Sequence, residues 1–121
     1  MGTRSLTFVY ERGEPIVNVY RQYDGYPQGH GRDLARILTT TRHNGMGCMA
    51  ASLISKIKEE PYNIYIYPVA ARDCGQEYEY HIFEDTVEVI ENGWPSESPN
   101  KTIFSGTWDE FLNFCMMKEA A

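Results

Sequence analysis

A chain of 121 residues, 42% hydrophobic and 23% charged, is long enough to bury a real core as one domain, here 1–121, and too short for two. Its formal charge of −6 and pI near 5.0 argue against direct binding to nucleic acid or to an anionic membrane, because both need a basic surface. The charge is uneven: residues 1–60 balance at +2 and residues 61–121 at −8, so a small anion suits the first half and a basic partner the second.

Cys48, Cys74 and Cys115 form no Cys-x-x-Cys pair, and an odd number makes a poor disulfide framework, which predicts a reduced, cytoplasmic protein. Together with His30, His43 and His81 they lack zinc-ligand spacing, so no metal and no cofactor is expected. No signal peptide or long apolar run is legible, and Leu6 stands where an acylation signal on Gly2 would need Ser or Thr.

In chain order, Ser5 to Glu11 and Ile16 to Tyr23 read as strands joined at Arg12-Gly13-Glu14-Pro15. Leu6, Phe8 and Tyr10 share one face of the first, and Ile16, Asn18 and Tyr20 oppose Val17 and Val19 on the second. Arg32 to Thr39 carries Leu34, Ile37 and Leu38 at helical spacing, and the threonine run beyond it disfavours extension. After His43-Asn44-Gly45, Met46 to Glu60 predicts the main helix, with Met49, Ala50, Leu53, Ile54 and Ile57 as its apolar stripe. Pro61 ends it.

Tyr62 to Val69, Glu77 to Phe83 and Thr86 to Ile90 alternate as strands. His81 lies within one of them, and with no nucleophile or carboxylate motif in view it reads as a satisfied sheet histidine. Asn92 to Asn100 is a Pro- and Gly-rich loop with Trp94 as its anchor, and Lys101 to Ser105 is a short edge strand. Thr107-Trp108-Asp109-Glu110 is a capping box opening a helix to about Glu119. The expected fold is α+β: an antiparallel sheet of about five to six strands covered by two or three helices.

The candidate site is the connection Tyr23-Asp24-Gly25-Tyr26-Pro27-Gln28-Gly29-His30-Gly31, which runs from a strand into a helix. The first amides of a helix lack partners within it, and glycines let a ligand come close to them, so this loop is expected to hold an anion. Arg4 and Arg32 would supply charge-assisted bonds, and Tyr23 or Tyr26 would stack on a base. The spacing of Gly25, Gly29 and Gly31 matches neither the P-loop nor the dinucleotide fingerprint, and ordinary turn chemistry explains the same residues.

Met1-Gly2-Thr3-Arg4, together with Tyr20-Arg21-Gln22-Tyr23-Asp24-Gly25-Tyr26-Pro27-Gln28-Gly29-His30-Gly31, resembles a family of small uncharacterised proteins of tailed phages and their bacterial hosts. The resemblance covers roughly the first third of the chain. It implies a phage-type accessory protein, a class that includes inhibitors of host defence, and it implies that Arg4, Asp24, Tyr26, Gly29 and Gly31 act together.

Three readings of function follow. The first is a counter-defence protein that sequesters a phosphorylated or nucleotide-like small molecule without turnover in the host cytoplasm, as a monomer or a homodimer. The second is an inhibitor of a host defence nuclease, whose basic groove the acidic second half would cover. The third is a small phosphodiesterase using His30 or His43 with Asp24.

Overall fold

The computed structural model describes residues 2–59, 61–92 and 100–120. Strands β1 (Ser5–Glu11) and β2 (Glu14–Arg21) form the expected antiparallel hairpin, with a bulge between Val9 and Tyr10. Arg12 and Gly13 turn it, both at positive φ (54° and 83°), the geometry that matches the twist of two antiparallel strands. A π-helical turn, Pro27–Gly31, runs directly into α1 (Arg32–Thr40), which is followed by α2 (Met46–Ile57). Then come β3 (Ile64–Tyr67), β4 (Tyr78–Ile82), β5 (Thr86–Glu91), β6 (Lys101–Thr107) and α3 (Trp108–Ala120). The Asn92 to Asn100 loop with Trp94 lies, for residues 93–99, outside the described residues.

The expected α+β class holds, as six strands with three helices, but the sheet is mixed. Its order is β3-β2-β1-β4-β5-β6, and every neighbouring pair is antiparallel except β1 with β4, which is parallel. The cause is the route of the chain. It leaves β3 on the outer side of β2, crosses the sheet, and re-enters as β4 on the far side of β1. Two bonds from Asn18 Nδ2, to the carbonyls of Pro68 and Ala71 at 3.0 Å each, hold that crossing down, and the Arg72 guanidinium sits 4.3 Å from the centre of the Phe8 ring. The crossing therefore packs on the face carrying Leu6, Phe8 and Tyr20, which are buried.

The helices cover the opposite face. Leu34, Ile37 and Leu38 of α1, Met49, Ala50, Leu53 and Ile57 of α2, and Phe111 and Cys115 of α3 bury against Val9, Val19, Ile64, Tyr80, Ile82, Val87 and Val89. Each large side chain so buried contributes about 1.5–3 kcal/mol, which makes this layer the main source of stability. Local signals set the helix ends. Thr39 and Thr40 turn their hydroxyls back onto the carbonyls of Ala35 and Arg36, and Gly45 takes φ 88° before α2.

The capping box of α3 forms as the sequence predicts: Glu110 N–H donates to Thr107 Oγ1 (3.2 Å), and Thr107 N–H donates to Glu110 Oε1 (2.8 Å). Thr107→Ala removes the side-chain half of that pair and is expected to lower stability by about 0.5–2 kcal/mol in urea unfolding, with no change in the m-value.

Candidate functional site

Arg21, the last residue of β2, points into the helix-covered side of the sheet, and its side chain is only 12% exposed. A cation so placed needs partners, and it has three. Nε donates to the Tyr23 carbonyl (2.7 Å), while Nη1 reaches His30 Nδ1 (3.1 Å) and Asp33 Oδ2 (3.3 Å) in the first turn of α1. Guanidinium can only donate, so Nδ1 of His30 accepts and the proton of the neutral ring sits on Nε2. That Nε2–H donates to Thr7 Oγ1 on β1 at 2.7 Å. Burial, and secondarily the charge of Arg21, hold the His30 pKa well below the ordinary histidine value.

The turn closes on itself around this core. Gly25 N–H donates to the Thr3 carbonyl (2.8 Å), Gly29 N–H to Tyr26 O (3.0 Å), His30 N–H to Asp24 O (2.8 Å) and Gly31 N–H to Tyr26 O (3.4 Å). Arg32 N–H continues the series onto Gly29 and Pro27 carbonyls. The expectation that loop amides stand open to an anion is thus not met. The π-helical turn extends the helix backward, so the N–H groups of Gly29, His30, Gly31 and Arg32 are already bonded. Asp24 supports the closure from φ 61°, with its main-chain oxygen as the acceptor and its carboxylate turned outward toward Tyr26 Oη (3.4 Å).

The glycines serve packing. A Cβ on Gly29 would meet the Asp24 carbonyl oxygen at 2.6 Å, and one on Gly31 would meet Cys115 Sγ of α3 at 3.0 Å and the Tyr80 ring at 3.3 Å. Gly25 is buried, and its carbonyl accepts the Tyr80 hydroxyl from β4 at 2.6 Å. The site residues read from the sequence therefore fall into two groups. Gly25, His30 and Gly31 are interior parts of one junction in which Gly29 is half-buried, whereas Tyr23, Asp24 and Tyr26 are exposed on its rim. The backbone of Arg4 passes beside Gly25, but its guanidinium lies within 3.1 Å of the point where a Cβ on Gly75 would stand and acts on Tyr20, which places it on the far face of the sheet. Arg32 is half-buried, and its charge acts on the Cys115 thiol, which burial nevertheless pushes up to about 12. The structure brings Arg4, Gly25, Gly29 and Gly31 into one neighbourhood through main chain, not through a shared set of side chains.

Sequence reasoning missed Thr7, Arg21 and Tyr80, which organise this junction. The legible signal was a threonine and an arginine at apolar-face positions of β1 and β2. It also set aside a second cluster. Tyr10 Oη lies 2.7 Å from His81 Nδ1, and His81 Nε2 donates to Glu79 Oε1 at 3.1 Å, while the histidine ring stacks on Phe8 with centroids 5.1 Å apart. The carboxylate thought to be missing stands two residues before His81, and on a strand residues i and i+2 share a face. Bonds from His81 and Gln76 outweigh the cost of burial and hold the Glu79 carboxyl below its usual range.

His43 is remote from this junction: it packs against Trp108, whose indole N–H binds the Phe83 carbonyl just past the other end of β4. Among the described residues no group of His, Cys, Asp and Glu is arranged to hold a metal ion. An open cleft of about 270 Å³ lies between α1 and α2, lined by Asp33, Arg36, Ile37, Lys56, Ile57 and Glu59, and it shares only Asp33 with the junction.

Two stability measurements check this account. In the unfolded chain His30 titrates near 6.5, and in the fold well below it, so the unfolded state binds the extra proton between those values. The contribution is complete above about pH 6.5 and is lost as pH falls toward the folded value, at up to about 1.4 kcal/mol per pH unit. His30→Gln, which can still accept from Arg21 and donate to Thr7, should flatten that slope in urea titrations between pH 7 and 5. Gly29→Ala should destabilise by about 1–3 kcal/mol, whereas Gly47→Ala in α2, where an added Cβ meets nothing within 4 Å, should be neutral or stabilising.

Compared with protein-family models, curated proteins and solved structures, the chain finds no match, so the reading of its surfaces rests on their own chemistry.

Proposed function

We propose that this protein works by binding a protein partner with a basic groove, as an accessory protein of the phage type that its first third resembles, a class that includes inhibitors of host defence. The observation that carries the reading is where its carboxylates collect. Glu11 and Glu14 flank the β1–β2 turn, Glu84 and Asp85 form the β4–β5 turn, and Asp109 and Glu110 open α3. The register puts all six at one end of the sheet, since Val9 pairs with Ile82 and Thr86 with Thr107. Arg12 N–H binds Glu84 Oε2 at 2.8 Å, tying two of these turns together, and that bond holds the Glu84 carboxyl below its usual range. Arg12 and Arg42 offset part of the charge. The remainder is a single-sign field on rigid turns, suited to steering and docking a basic surface.

Co-purification with a basic host protein, released by raised salt, is the expected result. The triple variant Glu14→Lys, Asp85→Lys, Asp109→Lys changes only exposed side chains, and it should lose retention by at least about tenfold while keeping the wild-type circular dichroism. Retention that ignores both salt and the triple variant would sink the proposal.

Capture of a nucleotide-like molecule is the second reading, favoured by the exposed rings of Tyr23 (49%) and Tyr26 (37%) on either side of Asp24. Because the nearby amides are already bonded, such a ligand would rest on side chains alone. On the protein-binding reading, no mono- or cyclic nucleotide raises the melting temperature. A rise that Tyr26→Ala abolishes would restore ligand capture.

A further inference from the structure

The outer side of β3 is the second feature that the fold leaves open, and it is independent of the acidic end. Gln22 N–H donates to the Asn63 carbonyl at 3.0 Å, so this pair is hydrogen-bonded. Antiparallel ladders alternate, and the register continues Arg21 with Ile64, Tyr20 with Tyr65 and Val19 with Ile66. The main-chain N–H and C=O of Ile64 and Ile66 therefore point away from β2, toward the edge. The Ile64 carbonyl accepts the Lys58 ammonium at 3.1 Å and keeps a second lone pair, since a carbonyl oxygen has two.

The side chains around this edge are apolar and uncovered: Tyr62 is 72% exposed, Ile66 59%, Tyr65 39% and Val69 38%. From Pro61 to Ala71 no residue carries a charge. An exposed edge strand of this kind is a template for another strand. The charge that reaches this edge is the Lys58 ammonium, held on the carbonyls of Pro61 and Ile64 and 5.8 Å from the centre of the Tyr65 ring. What fits is a strand that offers the same alternation and the same apolar side chains.

We propose that β3 pairs antiparallel with β3 of a second copy of this chain, about a two-fold axis at Tyr65. In that register Ile64 lies opposite Ile66 of the partner subunit, and Ile66 opposite the partner's Ile64. Both pairs place outward N–H and C=O groups face to face, so four inter-chain hydrogen bonds form, with each Ile64 oxygen shared between Lys58 and the incoming N–H. Tyr65 meets its own copy as a non-hydrogen-bonded pair, the closer of the two kinds. The two-fold stands perpendicular to the sheet, so both helical layers lie on one side of a continuous sheet, and Ile66 is covered there by the Ile64–Ile66 contact. The interface is isologous, as closed dimers require, and residues 61–71 contribute none of the charge of −6 that each chain carries.

Sedimentation equilibrium of the full chain from about 5 to about 200 μM should show a dimer. Ile66→Lys, at an exposed position, should be monomeric with wild-type circular dichroism and a melting temperature that no longer rises with protein concentration. Tyr65→Cys in a Cys48→Ser background should form an inter-chain disulfide with oxidised glutathione, because a non-hydrogen-bonded pair places the Cα atoms about 4.5 Å apart, within disulfide range. A monomer throughout that range, a dimer unaffected by Ile66→Lys, or a Tyr65→Cys protein that stays uncrosslinked would each overturn the pairing.

Discussion

The whole junction between sheet and helices depends on one nearly buried guanidinium. Removing Arg21 from water is costly unless its donors are met, and Tyr23 O, His30 and Asp33 meet those of Nε and Nη1. That requirement then propagates. It makes His30 a neutral acceptor on Nδ1, which turns the Nε2 proton toward β1, which explains a threonine hydroxyl in an otherwise apolar layer. It also pins the start of α1 to the end of β2, and the π-helical turn is what remains of the chain between those two fixed points. Tyr80 closes the assembly from β4 by donating to Gly25 O, and the missing side chain of Gly31 lets α3 come close.

The same closure redirects attention from the loop to the periphery. A backbone that spends its amides on its own carbonyls is well suited to holding strands and helices together, and poorly suited to holding a phosphate. The parts of the surface with unmet physical demands lie elsewhere: a like-signed end of the sheet, and an uncharged edge strand whose outer peptide groups look away from β2. Each invites a different kind of macromolecular contact, and the two are far enough apart in the topology to be used together.

The face opposite the helices obeys a different rule. It is not covered by a regular layer but by the crossing from β3 to β4, held by Asn18 and by Arg72 over Phe8. Where that cover ends, Tyr10, His81 and Glu79 satisfy one another in series and stack on their neighbours. A buried histidine flanked by a phenol and a carboxylate resembles catalytic equipment, but each of its polar atoms already has a structural partner here.

Local information was enough for much of this protein. Periodicity placed α1 and α2, alternation placed the strands and assigned Leu6 and Phe8 to one face, and the Thr107–Glu110 box located the start of α3 within a residue. Each is a rule about atoms a few positions apart, which one sequence contains in full. The parallel β1–β4 pairing, the Arg21–His30–Thr7 chain and the bonded state of the Gly29-His30-Gly31 amides were decided only in three dimensions. They depend on which distant carbonyl or hydroxyl arrives beside a given donor, and burial makes that choice, because a polar group removed from water must take whatever partner the packed chain brings to it.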